Sequence, residues 1–240
     1  MLNHWQTKTV PYSWNPKKTL IEWAGTDTID KFKQNPESSK WQNIDITYKY
    51  SREGFRTYDF DSLKGKEIDI ALGCSHTMGI GNPVEWIWPS LVEKARPYPM
   101  LNLGLGAGAS DTVARILTNI TGLFQINTVF ILWPNLRRFE TFKDSGPAFV
   151  IPESCKLEHT WNMDHNISLQ RFHKNKLIVE LLHNRIESMV GPVYENIDCG
   201  VKKCLTSHKI LDYARDGMHF GPETHKLIAK LFLEKLTNIK

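Results

Sequence analysis

A serine, a histidine and an aspartate can together hydrolyse an ester, and this chain carries candidates for each at well-separated points. Ser75 stands in the stretch IDIALGCSHTMGIG, where an apolar run stops abruptly at Gly73. Asp216 and His219 stand in Asp216-Gly217-Met218-His219, near the far end. Serine hydrolysis needs a base within hydrogen-bond reach of the hydroxyl, a carboxylate that holds the base in one tautomer, and donors aimed at the developing oxyanion. Donors are on offer from Gly106, Ala107 and Gly108, in the turn GLGAGASD, and from Asn135, just after TVFILWP. Each group also has a plain structural use. Ser75 can cap the segment that follows it, Asn135 can satisfy backbone groups after a strand, and Asp216 with His219 can be a cap and a surface histidine ahead of Pro222. His76, adjacent to Ser75, is a rival base, but neighbours in a turn point apart, so a packing or surface role is expected for it.

The elements that must position these groups are legible from periodicity. Ile68, Ile70 and Leu72 form a short buried strand ending in a turn. Trp86, Trp88, Leu91, Val92 and Ala95 are spaced for a short helix starting near Pro89, a residue suited to the first helical turn. Met100–Gly104 is a second strand, followed by a helix capped by Ser110 or Asp111 with Val113, Ile116, Leu117, Ile120 and Phe124 on one face. Thr128–Trp133 is a third strand. No sustained period runs from Leu136 to Asn166, where a lid or binding loop bordering the cleft is expected. A long helix beginning at Asn166 or Ser168, a fourth strand over Val193–Ile197, and a terminal helix opened by Pro222 complete the pattern. Strands alternating with helices predict an α/β fold with a parallel sheet flanked on both faces. In such sheets ligands bind beyond the carboxyl ends of the strands, where Ser75, the glycine turn and Asn135 should meet Asp216 and His219.

Residues 1–65 have a different texture. Four of the eight tryptophans lie there without a helical period, and Ile44, Ile46, Tyr48 and Tyr50 alternate as in a half-buried strand. An aromatic-rich extension packed on a main domain of residues 66–240 is expected, with a sugar-stacking platform as the functional alternative for its tryptophans. Hydrophobic residues at 41% and charged residues at 23% describe an ordinary globular chain, and the net charge of +4 has no long basic run such as a nucleic-acid arm would show. No window approaches the roughly 18 apolar residues of a membrane span, and no apolar stretch follows a basic start. A cytoplasmic or virion-associated location is therefore expected. The cysteines at 74, 155, 199 and 204 lack the spacing of a zinc site, so buried or free thiols and no metal are expected.

Taken together, the blocks resemble those of the SGNH (GDSL-like) hydrolases, in particular phage and marine-bacterial members with a Trp-rich leader. Gly73-Cys74-Ser75 resembles the family's nucleophile block, Asn102 to Gly108 its glycine block, Trp133-Pro134-Asn135 its Gly-x-Asn block, and Asp216-x-x-His219 its closing block. They occur in the family's order over residues of about 68 to 235, and the resemblance says little about residues 1–60. Cys74 stands where the family has Asp, Trp133 where it has Gly, and Leu136 where an Asp usually follows. The resemblance implies a three-layer α/β/α, flavodoxin-like fold and a Ser-His-Asp esterase that uses no cofactor. It makes Ser75 the nucleophile, leaving Cys74 to pack beneath the turn. It assigns the oxyanion hole to the Ser75 N–H, one backbone N–H within Gly106, Ala107 and Gly108, and the Asn135 amide. The implied substrate is a small-molecule or carbohydrate ester, an acyl group on a carbohydrate or lipid. The rival class is a catalytically silent glycan-binding module of a virion or cell surface.

Overall fold

The computed structural model describes residues 20–134, 138–143, 146–150 and 210–237. In chain order these form β1 (Leu20–Ile21), α1 (Ile29–Gln34), β2 (Tyr48–Lys49), β3 (Glu67–Gly73), α2 (Ser75–Met78), α3 (Trp88–Lys94), β4 (Met100–Asn102), α4 (Ser110–Ile120), β5 (Gln125–Leu132), β6 (Phe139–Lys143), β7 (Gly146–Val150) and α5 (Pro222–Thr237). The expected helix from Asn166 or Ser168, the strand at Val193–Ile197, Asn135, Trp5, Trp14 and Cys155, Cys199 and Cys204 lie outside the described residues.

β3 is the central strand of a parallel sheet ordered β4-β3-β5, with Ala71 opposite Asn102 on one side and Phe130 on the other. This is the second-first-third order of doubly wound sheets. Because successive side chains in a strand alternate faces, the apolar runs split cleanly. Ile68, Ile70 and Leu72 join Leu101, Val129 and Ile131 on the face covered by Val113, Ile116, Leu117 and Ile120 of α4. Ala71, Met100, Phe130 and Leu132 meet Trp88 and Val92 of α3 and Ile228, Ala229 and Phe232 of α5 on the other. The result is a three-layer α/β/α arrangement. Each fully buried large side chain contributes about 1.5–3 kcal/mol, and the strand face of β3 is sealed at both surfaces.

Residues 20–65 pack onto this body. Ile46, Tyr48 and Tyr50 are buried while Asp45, Thr47 and Lys49 are exposed, so the expected alternation holds, although only Tyr48 and Lys49 pair as a strand, with Ile21 and Leu20 of β1. Trp41, Ile46, Tyr48 and Tyr50 form a core with Met78 and Ile80, the segment that leaves the Ser75 turn. Phe55, Phe60 and Leu63 join the core under α4.

Two expectations need correction. The cap of α4 is neither Ser110 nor Asp111: the N-cap position is Ala109, whose N–H donates to Thr112 Oγ1 at 3.1 Å, while Ser110 is already inside the helix with its buried hydroxyl unpartnered. The stretch from Leu136 to Asn166 is not without secondary structure, because β6 and β7 form an antiparallel hairpin that pairs Phe139 with Val150 and Lys143 with Gly146.

His225, in the first turns of α5, is wholly buried and accepts the Trp88 N–H at Nδ1 (3.2 Å). That bond requires an unprotonated Nδ1. Burial, with His219 and Arg56 nearby, holds the ring neutral, its pKa pushed down to about 3. The unfolded chain takes up this proton near pH 6.5, so between about pH 6.5 and 3 the unfolded state binds one more proton than the folded state, and stability falls as pH falls, by up to about 1.4 kcal/mol per pH unit. Urea midpoints across this window should therefore be less pH-dependent in His225→Gln than in the wild type; equal slopes would show that His225 is not the proton-linked group.

Candidate active site

β3 ends at Gly73, whose φ of +151° and contacts leave no room for a side chain: a Cβ there would lie 2.2 Å from Thr77 Oγ1 and 2.6 Å from the Leu132 carbonyl oxygen. The chain passes through Cys74 and turns at once into α2, with the Thr77 and Met78 N–H groups donating to the Cys74 carbonyl. Ser75 is thus the first residue of α2, half-buried, and Cys74 beneath it is 1% exposed. The capping use of Ser75 is not realised, since its hydroxyl faces His219 Nε2 at 2.7 Å.

The loop carrying Asp216 and His219 is closed by an antiparallel bridge between Tyr213 and Phe220 and by the Ala214 N–H donating to the His219 carbonyl at 2.9 Å. Gly217, at φ +67°, supplies the left-handed residue such a turn needs. Asp216 Oδ1 accepts the Met218 and His219 N–H groups, each at 3.0 Å. Its Oδ2 lies 2.6 Å from His219 Nδ1. Spacing of three residues therefore serves the chemistry directly: the carboxylate folds back on its own turn and meets the ring. Burial works to raise the Asp216 pKa, but the His219 side chain and backbone and the Thr26 hydroxyl outweigh it and hold the carboxyl well below the usual range. An ionised carboxylate only accepts, so the proton of this hydrogen bond sits on His219 Nδ1, and in the neutral ring Nε2 is the acceptor that faces the Ser75 O–H.

The glycine-rich turn is brought alongside by continued pairing past β4: the Leu103 N–H donates to the Ala71 carbonyl (2.8 Å) and the Leu105 N–H to the Gly73 carbonyl (3.0 Å). At Gly104 a Cβ would sit 2.4 Å from Met78 N, so α2 rests directly on backbone. Asn102 fastens the two, donating from Nδ2 to the Thr77 carbonyl and accepting the Gly104 N–H, both at 3.0 Å. Among the three donor candidates, the Gly108 N–H is engaged by the Leu105 carbonyl at 2.9 Å. Gly106 and Ala107 are half-buried, and Ala107 takes a φ of +60°.

His76 packs, as expected, stacking on Phe220 with ring centroids 3.8 Å apart and accepting the Phe220 N–H at Nδ1. Burial and the nearby His219, His225 and Arg138 depress its pKa, which keeps it neutral. The structure therefore brings Ser75, His219 and Asp216 into one hydrogen-bonded line. Sequence reasoning missed Thr26, which donates to Asp216 Oδ2 at 2.7 Å, and Asp27, which holds Arg215 beside the same loop. It also missed Asn102 as a fastener, although a polar residue inside the apolar run MLNLG is a signal in itself. Among the described residues no cluster of His, Cys, Asp and Glu could hold a metal ion, and no helix is long and apolar enough to cross a membrane.

No family model matches the chain, and no curated protein matches it. Solved structures do. A member of the lipolytic protein G-D-S-L family from Veillonella parvula is 12% identical, with 71% of this chain and 98% of that one covered at a TM-score of 0.39. A lipolytic protein assigned to the G-D-S-L family from Desulfitobacterium hafniense is 13% identical, with 70% and 99% covered and a TM-score of 0.39. A chain described as GDSL-like from Bacteroides ovatus is 15% identical, with 72% and 53% covered and a TM-score of 0.40. At low identity and low TM-score, the chain is thus similar to solved proteins described as G-D-S-L or GDSL-like.

Proposed function

We propose that the protein is a serine esterase of the SGNH type. The observation that carries this reading is the unbroken line Ser75 Oγ, His219 Nε2, His219 Nδ1, Asp216 Oδ2, with steps of 2.7 and 2.6 Å between side chains. Ser75 Oγ attacks the acyl carbonyl while His219 Nε2 takes its proton, and Asp216 steadies the imidazolium that forms. The oxyanion is held by the Ser75 N–H, by the N–H of Gly106 or Ala107, and by the Asn135 side-chain amide. Gly108 is the weakest of the three backbone candidates, because its N–H already has a partner. Collapse of the intermediate expels the alcohol, protonated by His219, and leaves an acyl-Ser75 ester. Water, deprotonated by His219, then releases the acid and restores Ser75. The proposed substrate is an acyl ester of a carbohydrate or lipid, and no step calls for a cofactor.

A fluorophosphonate probe tests this reading. Phosphonylation located on the peptide containing Ser75, and blocked by prior denaturation, is the expected result. A folded protein that remains unlabelled at millimolar probe would instead be a binding module that uses the same cleft without turnover.

A further inference from the structure

Among the described residues ahead of the sheet, Thr26 reaches the triad. Ala24 and Asp27 exchange backbone hydrogen bonds (3.1 and 3.0 Å), closing a two-residue turn with Gly25 at φ +61° and Thr26 at its tip. Such a turn is stiff, and here it is pinned on both sides. Asp27 grips Arg215 through Oδ1 (3.0 Å) and Oδ2 (2.6 Å), while Thr26 meets the next residue, donating from Oγ1 to Asp216 Oδ2 at 2.7 Å. Adjacent residues of the extension thus engage adjacent residues of the loop. Thr26 is itself exposed, yet the carboxylate its hydroxyl reaches is fully buried.

We propose that Thr26 is a positioning residue that completes the Ser-His-Asp arrangement, setting the orientation of Asp216 toward His219. The inference rests on the esterase reading above for its consequence in turnover, but the pairing itself is independent of turnover. Among the described residues, with two N–H groups on Oδ1 and the His219 ring on Oδ2, the Thr26 hydroxyl is the remaining side-chain donor to the carboxylate. It also lies 3.4 Å from His219 Nδ1, beside the proton that Asp216 and His219 share. Removing it leaves a buried acceptor position empty and weakens the hold on Oδ2, the oxygen that faces the ring. A residue acting only as an anchor of the extension would change stability alone.

Thr26→Val keeps the shape and removes the donor, and Thr26→Ser restores it. For Thr26→Val, kcat on a p-nitrophenyl ester and the rate of fluorophosphonate labelling should fall about tenfold or more, the size of a lost hydrogen bond to a charged group, with KM nearly unchanged. Thr26→Ser should recover most of the rate. The downfield proton resonance of His219 Nδ1–H should move from its wild-type position in Thr26→Val and return in Thr26→Ser, and this readout needs no catalysis. If the wild type reacts with the probe but Thr26→Val shows the same rates and resonance, the inference is overturned. If the wild type is unreactive yet the resonance moves, the esterase reading fails and the positioning role stands. An unmoved resonance in an unreactive protein overturns both.

Discussion

Ser75→Ala is expected to remove ester hydrolysis by roughly a millionfold, down to the residual catalysis of binding and oxyanion donors, whereas Cys74→Ala keeps most of its turnover. The comparison matters because a thiol is intrinsically the better nucleophile and stands one residue away. Geometry separates the two. Ser75 Oγ is 2.7 Å from His219 Nε2, while Cys74 is 1% exposed. A buried thiol out of reach of reagents is inert. Iodoacetamide should accordingly leave activity largely intact, and Cys74→Ala should mainly lower the urea midpoint. A dead but folded Cys74→Ala beside an active Ser75→Ala would make the protein a thiol hydrolase.

The parts of this site that could be read from the sequence are those carried by short-range pattern. Ile68, Ile70 and Leu72 alternate, and Gly73 stops them, so both the strand and the placement of Ser75 at its end follow from local chemistry. Asp216 and His219 belong to one turn, whose Gly217 is visible as a turn former. The parts that could not be read are non-local. Thr26 and Asp216 are 190 positions apart, and nothing in the run Ala24-Gly25-Thr26-Asp27 distinguishes that threonine from Thr28, which caps α1. The β6–β7 hairpin was hidden because its strands are five residues each, too short for a period, although Asp144-Ser145-Gly146 is a turn signal. The α4 cap lies one or two residues ahead of the expected position because Ser110 and Asp111 both have capping side chains, and propensity alone cannot place the first helical residue.

Three otherwise unrelated features of residues 22–56 serve one end. Arg56 donates through its two terminal nitrogens to the carbonyls of Thr47, Met78, Gly79 and Asn82, tying β2 to the exit of α2. Asn35 Nδ2 donates to the carbonyls of Ala214 (3.2 Å) and Arg215 (3.1 Å). Tyr48 accepts the Gly81 N–H at 2.8 Å and donates to Asp27 Oδ2 at 2.5 Å. The Ser75 segment and the Asp216–His219 loop are therefore both fastened to residues 22–56, so the distance between Ser75 and His219 is set partly by a region that supplies neither.

The centre of that fastening gives the largest expected effect on stability. Asp27 is fully buried and Arg215 nearly so, joined as a two-pronged pair, with the Arg215 guanidinium 3.9 Å from the Trp23 ring and donating to the Glu22 carbonyl at 2.8 Å. Removing one member of a buried pair strands the other charge, at a cost of about 3–5 kcal/mol. That is a large share of the roughly 5–15 kcal/mol that keeps a domain folded. Asp27→Ala should lower the urea midpoint accordingly and, in the fraction still folded, reduce activity, because Arg215 adjoins Asp216 and its N–H donates to the Gly81 carbonyl at 3.0 Å. Replacing both charges, as in Asp27→Leu with Arg215→Met, relieves the stranded charge, so the double variant should be more stable than Asp27→Ala. Additive losses, with the double variant worse than either single change, would show that the pair contributes through packing at Trp23 and Tyr48 and not through its charge.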